Sequence, residues 1–492
     1  MADGAAALRR DIWQVRRRRQ SPAVLDVAGT SCCTPAMPSL SPTQAQVVSP
    51  PRRKLLSPWP ASLGLAMIIA GQPLGWTIRG QTGGGDSIVF PVGIVLIGFV
   101  FLLHPSMLVR LRLHVSPAQF ATALLLLLIP ITVLLLVDVT GLGQYLVYAL
   151  FVVGVIAAVG LNETARFDRL PEALVIIAGL SSLAPLLELA IGGVARGFFR
   201  LAISGNENTL VVATTGGIAM LAAMVSAFSA RRGSTAWGVV CGIVWWSGLA
   251  AVLLSGTRSV FGMLIILIPA FFILLRRGQA SRRQRNAKPF GFSAILIAGA
   301  IAAPTAAVAL LGTKTLTEIS GRSLMRITGA LALVDGRGAK VDESTAIRGS
   351  FATESWSNMS VWGHGVMGLP YEHGNLLDYQ HNAYLQVFYD LGLFGGCLYV
   401  IGTVLVPLAL IASLLYRSLP SPTGQFLILL FIYVQGDMLA HCTPYNWQPL
   451  LAVGLIYVLV ARASQVDRRP VFELGATKAV GRQSLASTAA LA

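Results

Sequence analysis

Charge is what this sequence has least of. Asp, Glu, Lys and Arg together make up 12% of its 492 residues, against 54% hydrophobic ones, and the mean hydropathy is +0.69. A soluble domain needs more polar surface than that to stay dissolved around one core. Acidic residues are the scarcer sign, 21 against 37 Lys and Arg, and no Asp-x-Asp pair occurs of the kind that nucleotide-sugar transferases use to hold a metal. The five cysteines, Cys32 and Cys33 near the N-terminus and Cys241, Cys397 and Cys442 in or beside apolar runs, have neither disulfide-framework nor metal-ligand spacing. No short apolar stretch with a small-residue cleavage site follows the N-terminal arginines, so no removable signal peptide is expected. Nor is there an internal repeat of the kind that marks inverted-repeat transporters.

What is present in quantity is apolar sequence in long runs. They fall near residues 60–78, 88–104, 118–137, 143–161, 171–191, 208–229, 235–254, 258–275, 290–311, 391–415, 424–441 and 446–463. Each is close to the roughly 20 residues that a helix needs to cross about 30 Å of hydrocarbon. The expected fold is an all-α polytopic membrane protein of about twelve transmembrane helices. Residues 1–57, rich in Arg, Pro, Ser and Ala, are expected to form a disordered basic cytoplasmic tail, and 464–492 a second cytoplasmic tail. Between them, 58–311 would hold helices 1–9 and 383–463 helices 10–12.

The formal charge of +16 is a topology signal, because the basic residues sit in short clusters between the runs. Nucleic-acid binding would need a contiguous basic face with aromatic platforms, and is not expected. Arg110 and Arg112, Arg166 and Arg169, Arg231 and Arg232, then Arg276 to Lys288, Arg417, and Arg462 to Arg469 all fall in alternate loops, which places both termini in the cytoplasm. Three arginines break the pattern. Arg196 and Arg200 precede Asn206, and Arg258 opens the eighth run, so all three are expected on the outer side.

One segment interrupts the rhythm, residues 312–382, too long for a connector and bearing Trp356, Trp362, Tyr371 and Tyr379, with Tyr384 just after it counted among the same aromatics. Loops of that length are functional or disordered, and the aromatics favour an ordered periplasmic cap packed against the bundle.

Three motifs around this loop could carry chemistry. Leu254-Ser255-Gly256-Thr257-Arg258-Ser259 places a guanidinium at the outer interface, where its planar fork suits phosphate oxygens, although an arginine snorkelling to headgroups would also sit there. Ser344-Thr345-Ala346-Ile347-Arg348, followed by Trp356 and Trp362-Gly363-His364-Gly365, adds a second permanent cation that Glu343 or Glu354 could equally pair. Gln380-His381-Asn382-Ala383-Tyr384-Leu385-Gln386 leads into Asp390-Leu391-Gly392-Leu393-Phe394-Gly395-Gly396 where the chain returns to the membrane. A histidine there can transfer protons near neutrality, and a structural histidine is the alternative. His364, His373 and His381 have spacings that match no common metal site. Asp437 and His441, four apart, would share one helix face near its outer end.

Taken together, the Ser-Gly-Thr-Arg-Ser turn, the Arg-containing outer loop with its Gly-x-Gly, and His-Asn-Ala-Tyr-Leu-Gln before Gly-Leu-Phe-Gly resemble the O-antigen ligase and Wzy-type polysaccharide polymerase superfamily, over about residues 60 to 463. That resemblance implies a fold like the GT-C membrane glycosyltransferases in the bacterial inner membrane, working without metal or cofactor. It implies transfer of a glycan from an undecaprenyl-pyrophosphate carrier to an acceptor hydroxyl on the periplasmic side. The implied partners are the lipid-linked glycan donor, a glycan or lipid A core acceptor, the bilayer and a chain-length regulator. Arg258 and Arg348 would bind pyrophosphate, and His381 would activate the acceptor. Arg196, Arg200, Asn382 and Trp356 would extend the substrate-binding surface. Polymerising repeat units of a surface or exopolysaccharide and ligating a finished chain to lipid A core use the same donor chemistry. A lipid-linked glycan flippase would bind the same carrier without a base.

Overall fold

The structure, a computed structural model, describes residues 59–76, 89–102, 169–190, 209–229, 235–281, 292–300, 352–364, 371–373, 376–378, 382–417, 421–439 and 451–456. All of them belong to the unit Leu55–Ala492. Apart from Gly71 and Leu439, helix covers the described part of ten of the predicted apolar runs, and the runs 118–137 and 143–161 lie outside the described residues. In chain order the main helices are α1 (Trp59–Ala70), α2 (Val89–Leu102), α3 (Leu170–Ala190), α4 (Thr209–Ser229), α5 (Thr235–Ser255) and α6 (Arg258–Ser281), then α7 (Ala383–Val400), a π-helical turn (Ile401–Leu405), α8 (Val406–Arg417) and α9 (Pro422–Met438). Among the described residues four helical stretches, Leu170–Ala190, Thr209–Phe228, Thr235–Ser255 and Ala383–Tyr416, are long and apolar enough to cross a membrane, with mean hydropathies of 1.9 to 2.4. The chain is a helical membrane protein. One exception to the all-α expectation lies in the long loop: Tyr371–His373 (β1) and Leu376–Asp378 (β2) pair antiparallel, Tyr371 opposite Asp378.

Outward-facing side chains are as apolar as the core. Leu96, Val100, Ile176, Leu180, Leu187, Ile243, Ile265, Ile266 and Ile273 are all exposed. In water such a surface would aggregate; against lipid it costs nothing, and the specificity of packing must come from shape. Small residues provide it. Gly216 of α4 and Gly248 of α5 face each other so closely that a Cβ at either would stand 2.7 or 2.5 Å from the other's carbonyl oxygen. Gly179 of α3 lies against Val244 of α5, and Gly98 of α2 against the Gly64 carbonyl of α1.

These contacts also set direction. Gly216 against Gly248 and the Trp237 indole donating to Ser226 Oγ at 2.9 Å run α4 and α5 antiparallel. Gly179 against Val244, with the Ser182 and Ser247 hydroxyls 3.3 Å apart, runs α3 parallel to α5. Ser259 of α6 meets Asp437 of α9, and Met263 meets Gly436 one turn on, so α6 and α9 are antiparallel. The C-terminal ends of α3, α5 and α9 and the N-terminal ends of α4 and α6 therefore gather at one end of the bundle. Among the described helices α4 is the central one, packed on α3, α5, α6 and α9 and mostly buried.

Candidate functional site

At that end α5 stops at Ser255, whose hydroxyl turns back to the Val252 carbonyl at 2.8 Å and reaches Thr257 Oγ1 at 3.2 Å. Gly256 follows with φ 63°, a left-handed conformation natural to glycine, and its N–H closes on the Leu253 carbonyl at 3.1 Å. The turn releases the chain into α6, of which Arg258 is the first residue. Ser259 next to it donates to Asp437 Oδ1 at 3.4 Å, on the last turn of α9. The side chain of Arg258 lies outside the described residues, as do Arg196, Arg200, Arg348, His381 and His441.

Asn382 is described, and its role is to start a helix. With φ −125° and ψ 110° it is the N-cap of α7, and its side-chain oxygen accepts from the N–H groups of Tyr384 and Leu385, both at 3.1 Å. Two of the four N–H groups that a helix start leaves unpaired are thus satisfied by one side chain. The Tyr384 hydroxyl donates to the side-chain oxygen of Gln435 on α9, and the Gln435 amide donates to the Thr403 carbonyl at 3.2 Å.

That bridge has a geometric consequence. In a continuous helix Tyr384 and Thr403 would be about 29 Å apart. Both bind the two ends of one carboxamide, so the chain between them doubles back. The turning point is Gly392, at φ 70° and ψ −179° in the middle of α7. Phe388, before the break, lies against Gly396 after it, where a Cβ would collide with the ring, and a Cβ on Gly395 would stand 2.6 Å from that of Leu391. The Gly-Leu-Phe-Gly-Gly motif is thereby explained. One glycine makes the turn and two remove the side chains that would hold the halves apart. The first half is buried along Ala383, Gln386, Val387, Tyr389, Asp390 and Leu391, with the Gln386 amide donating to Asp390 Oδ1 at 2.6 Å.

A broken helix leaves carbonyls without partners before the break and N–H groups without partners after it. The strap Ser360–His364 of the long loop satisfies both. His364 N–H is shared between the Tyr389 and Asp390 carbonyls at 3.1 Å each. Leu393 N–H donates to the Ser360 carbonyl at 3.0 Å and Phe394 N–H to that of Val361 at 3.4 Å. Gly363, at φ 85°, stands back to back with Gly392, and a Cβ on either would enter the other strand's backbone. The His364 ring stacks on Tyr389, with centroids 4.4 Å apart, while its Nε2 meets the Asn358 carbonyl at 2.7 Å. His364 is thus a structural histidine that seats the strap, and Trp362-Gly363-His364 and Asp390-Leu391-Gly392 are two sides of one joint.

Two of the loop aromatics differ from the expectation that they pack a cap onto the bundle, while the side chain of Tyr371 and all of Tyr379 lie outside the described residues. Trp356 is 71% exposed and Trp362 61% exposed. Tyr384, by contrast, is tied into the helical bundle through Gln435. Among the described residues no group of three or more metal-ligating side chains comes together. Near the same end of α3, Glu188 is buried with one carboxylate oxygen lacking a hydrogen-bond partner among the described residues. Nothing in the described structure accounts for it.

Sequence reasoning found the turn at Ser255–Ser259, but it took Asn382 for a substrate-binding residue and began the apolar run near 391, so the helix start at Asn382 was not foreseen. It missed Gln435, Ser360 and the pairing of Gly363 with Gly392. The two left-handed glycines sit in Gly-rich motifs, which is the signal that was available. No family model matches the sequence, and no curated protein matches it at a significant level.

Proposed function

We propose that this protein is a membrane glycosyltransferase that moves a glycan from an undecaprenyl-pyrophosphate carrier to an acceptor hydroxyl at the periplasmic face. The supporting observation is the meeting of the two motifs on α9. Ser259, beside Arg258, is bonded to Asp437, and Tyr384, two residues after Asn382, is bonded to Gln435. Motifs more than a hundred residues apart thus share the last turns of one helix.

In this reading the acceptor oxygen attacks the anomeric carbon, its proton passes to His381, and the bond from that carbon to the pyrophosphate oxygen breaks. Arg258 and Arg348 receive the negative charge left on the departing carrier pyrophosphate, an electrostatic contribution of about 3 kcal/mol for each donor. Arg196 and Arg200 extend the cationic surface. Trp356, open to solvent, offers a ring face on which a sugar can stack. The helices continue as about twelve spans of a GT-C-like fold in the inner membrane, with both termini cytoplasmic. Polymerisation of polysaccharide repeat units is the reading we adopt, with ligation to lipid A core separated by which acceptor is used.

The test is reconstitution of the purified protein with an undecaprenyl-pyrophosphate oligosaccharide. Carrier pyrophosphate should be released only when an acceptor is present, and Arg258→Ala, Arg348→Ala and His381→Ala should each abolish release while the protein remains folded. Activity should persist in excess chelator. Movement of intact lipid without bond cleavage would replace the transferase with a flippase, and near-normal turnover in His381→Ala would remove that residue as the base.

A further inference from the structure

The strap does more than complete a broken helix. After Gly392 the chain runs from Leu393 to Arg417, roughly 36 Å as helix, slightly more than the hydrocarbon thickness of about 30 Å. Its exposed apolar residues Phe394, Leu398, Ile401, Leu405 and Leu408 recur every three or four positions and form a lipid-facing stripe. Phe394 stands about 33 Å from Tyr416 along the helix, at the edge of the hydrocarbon.

Onto that edge the strap is hydrogen-bonded through the Ser360 and Val361 carbonyls. Val361 is 56% and Trp362 61% exposed, beside Leu393 at 51% and Phe394 at 56%. Residues Met359 to Gly363 include no ionisable side chain. The apolar surface therefore continues without a charge from the lipid-facing helix onto the loop.

We propose that Val361 and Trp362 insert into the boundary between headgroups and acyl chains of the leaflet at this end of the bundle, so that the long loop is anchored to the membrane as well as to α7. Lipid is the occupant because the patch is an extension of a surface that already faces lipid. Tryptophan is also the side chain most suited to that depth, with an apolar body and one N–H for the headgroup layer. The glycan reading plays no part in this inference.

The experiment reconstitutes the unaltered full-length chain in phosphatidylethanolamine and phosphatidylglycerol vesicles that contain a phospholipid with a photoactivatable group near the glycerol end of its acyl chain. Adducts are mapped by mass spectrometry. The peptide carrying Val361 and Trp362 should be labelled at a yield comparable with that carrying Phe394 and Leu398. A yield lower by about tenfold or more would overturn the proposal, since interfacial burial places both at one depth. A second measurement uses spin labels in a chain with the other cysteines replaced by Ser. Cys397, exposed on the same helix, serves as the lipid-facing reference for a label at Val361→Cys. Collisions with oxygen should exceed those with a water-soluble nickel complex at both positions. Nickel access at Val361→Cys equal to that at exposed Ser357→Cys would place the strap in water. Access by neither reagent would mean that protein, such as a second copy of the chain, covers it, and either result refutes the lipid anchor.

Discussion

Replacing Gly392 with alanine tests the joint between loop and helix at its tightest point. At φ 70° and ψ −179° the backbone occupies a region that only glycine enters freely, so a side chain there adds about 1–3 kcal/mol of strain. The new Cβ would also stand 2.5 Å from the Trp362 carbonyl carbon and closer still to the Val361 oxygen. These are backbone atoms, and they cannot retreat without breaking the bonds of Leu393, Phe394 and His364 N–H to the opposite strand. Each such bond contributes about 0.5–1.5 kcal/mol net. Loss of two or three of them together with the strain gives about 2–7 kcal/mol, more than the roughly 1 kcal/mol of an ordinary substitution. In lipid nanodiscs, hydrogen exchange should accelerate at His364, Leu393 and Phe394 until the protection of the strap is exhausted, and the thermal midpoint should fall. Gly363→Ala, at φ 85°, should do the same, and the double variant should be little worse than either, because the first change already frees the strap. Gly262→Ala on α6 is the control: nothing lies within 4 Å of its Cβ position, and alanine there should be neutral or stabilise by up to about 1 kcal/mol. Unchanged exchange at Leu393 and Phe394 in Gly392→Ala would refute the strap as described.

Other consequences can be measured in the same preparation. Gly248→Ala, whose Cβ would stand 2.5 Å from the Gly216 carbonyl, should force α4 and α5 apart and lower stability by about 1–3 kcal/mol in thermal unfolding. Asn382→Ala should cost about 0.5–2 kcal/mol and speed exchange at Tyr384 and Leu385, whereas Asn382→Asp should retain the cap. Tyr384→Phe leaves the Gln435 oxygen without its donor and should cost about 1–3 kcal/mol, read as faster exchange in the first half of α7 and not in α8.

The membrane helices were legible because a bilayer reads length and polarity, both of which are written in linear sequence. The run expected to begin near residue 391 captures the second half of the α7 hairpin. The first half escaped because Gln386, Tyr389 and Asp390 interrupt its apolar pattern, and the structure resolves the conflict by burying them against protein. Gly392 could be read as a point of flexibility, but not as the apex of a hairpin. The groups that fix the apex are the main-chain carbonyls of Ser360, Val361, Tyr389 and Asp390, which leave no trace in side-chain patterning. For the same reason His364 looked like a loose part of a Gly-x-Gly motif and proved to be the residue that seats the strap. The links from Ser259 to Asp437 and from Tyr384 to Gln435 span 178 and 51 residues, and no local spacing rule reaches that far. The expected positions of Arg258, Arg348 and His381 relative to one another remain part of the proposed function.

The hairpin changes where control over the proposed site resides. Asn382, the residue after His381 in the sequence, caps α7, and the cap geometry fixes the backbone at Asn382. The first half of α7 is held at two places, by Gln435 near its start and by the strap at its end. Gln435 also grips the Thr403 carbonyl of the second half through the amide nitrogen of the same side chain. One glutamine on α9 therefore sets the distance between the halves, and Asp437 two residues later holds the turn that contains Arg258. A loop that supplied chemistry by itself could tolerate changes in α9. A site assembled on α9 cannot, because a shift of about 1 Å in a reacting group costs on the order of a hundredfold in rate. The long loop is then best regarded as the clamp that closes the hairpin, and α9 as the gauge that positions the residues at its mouth.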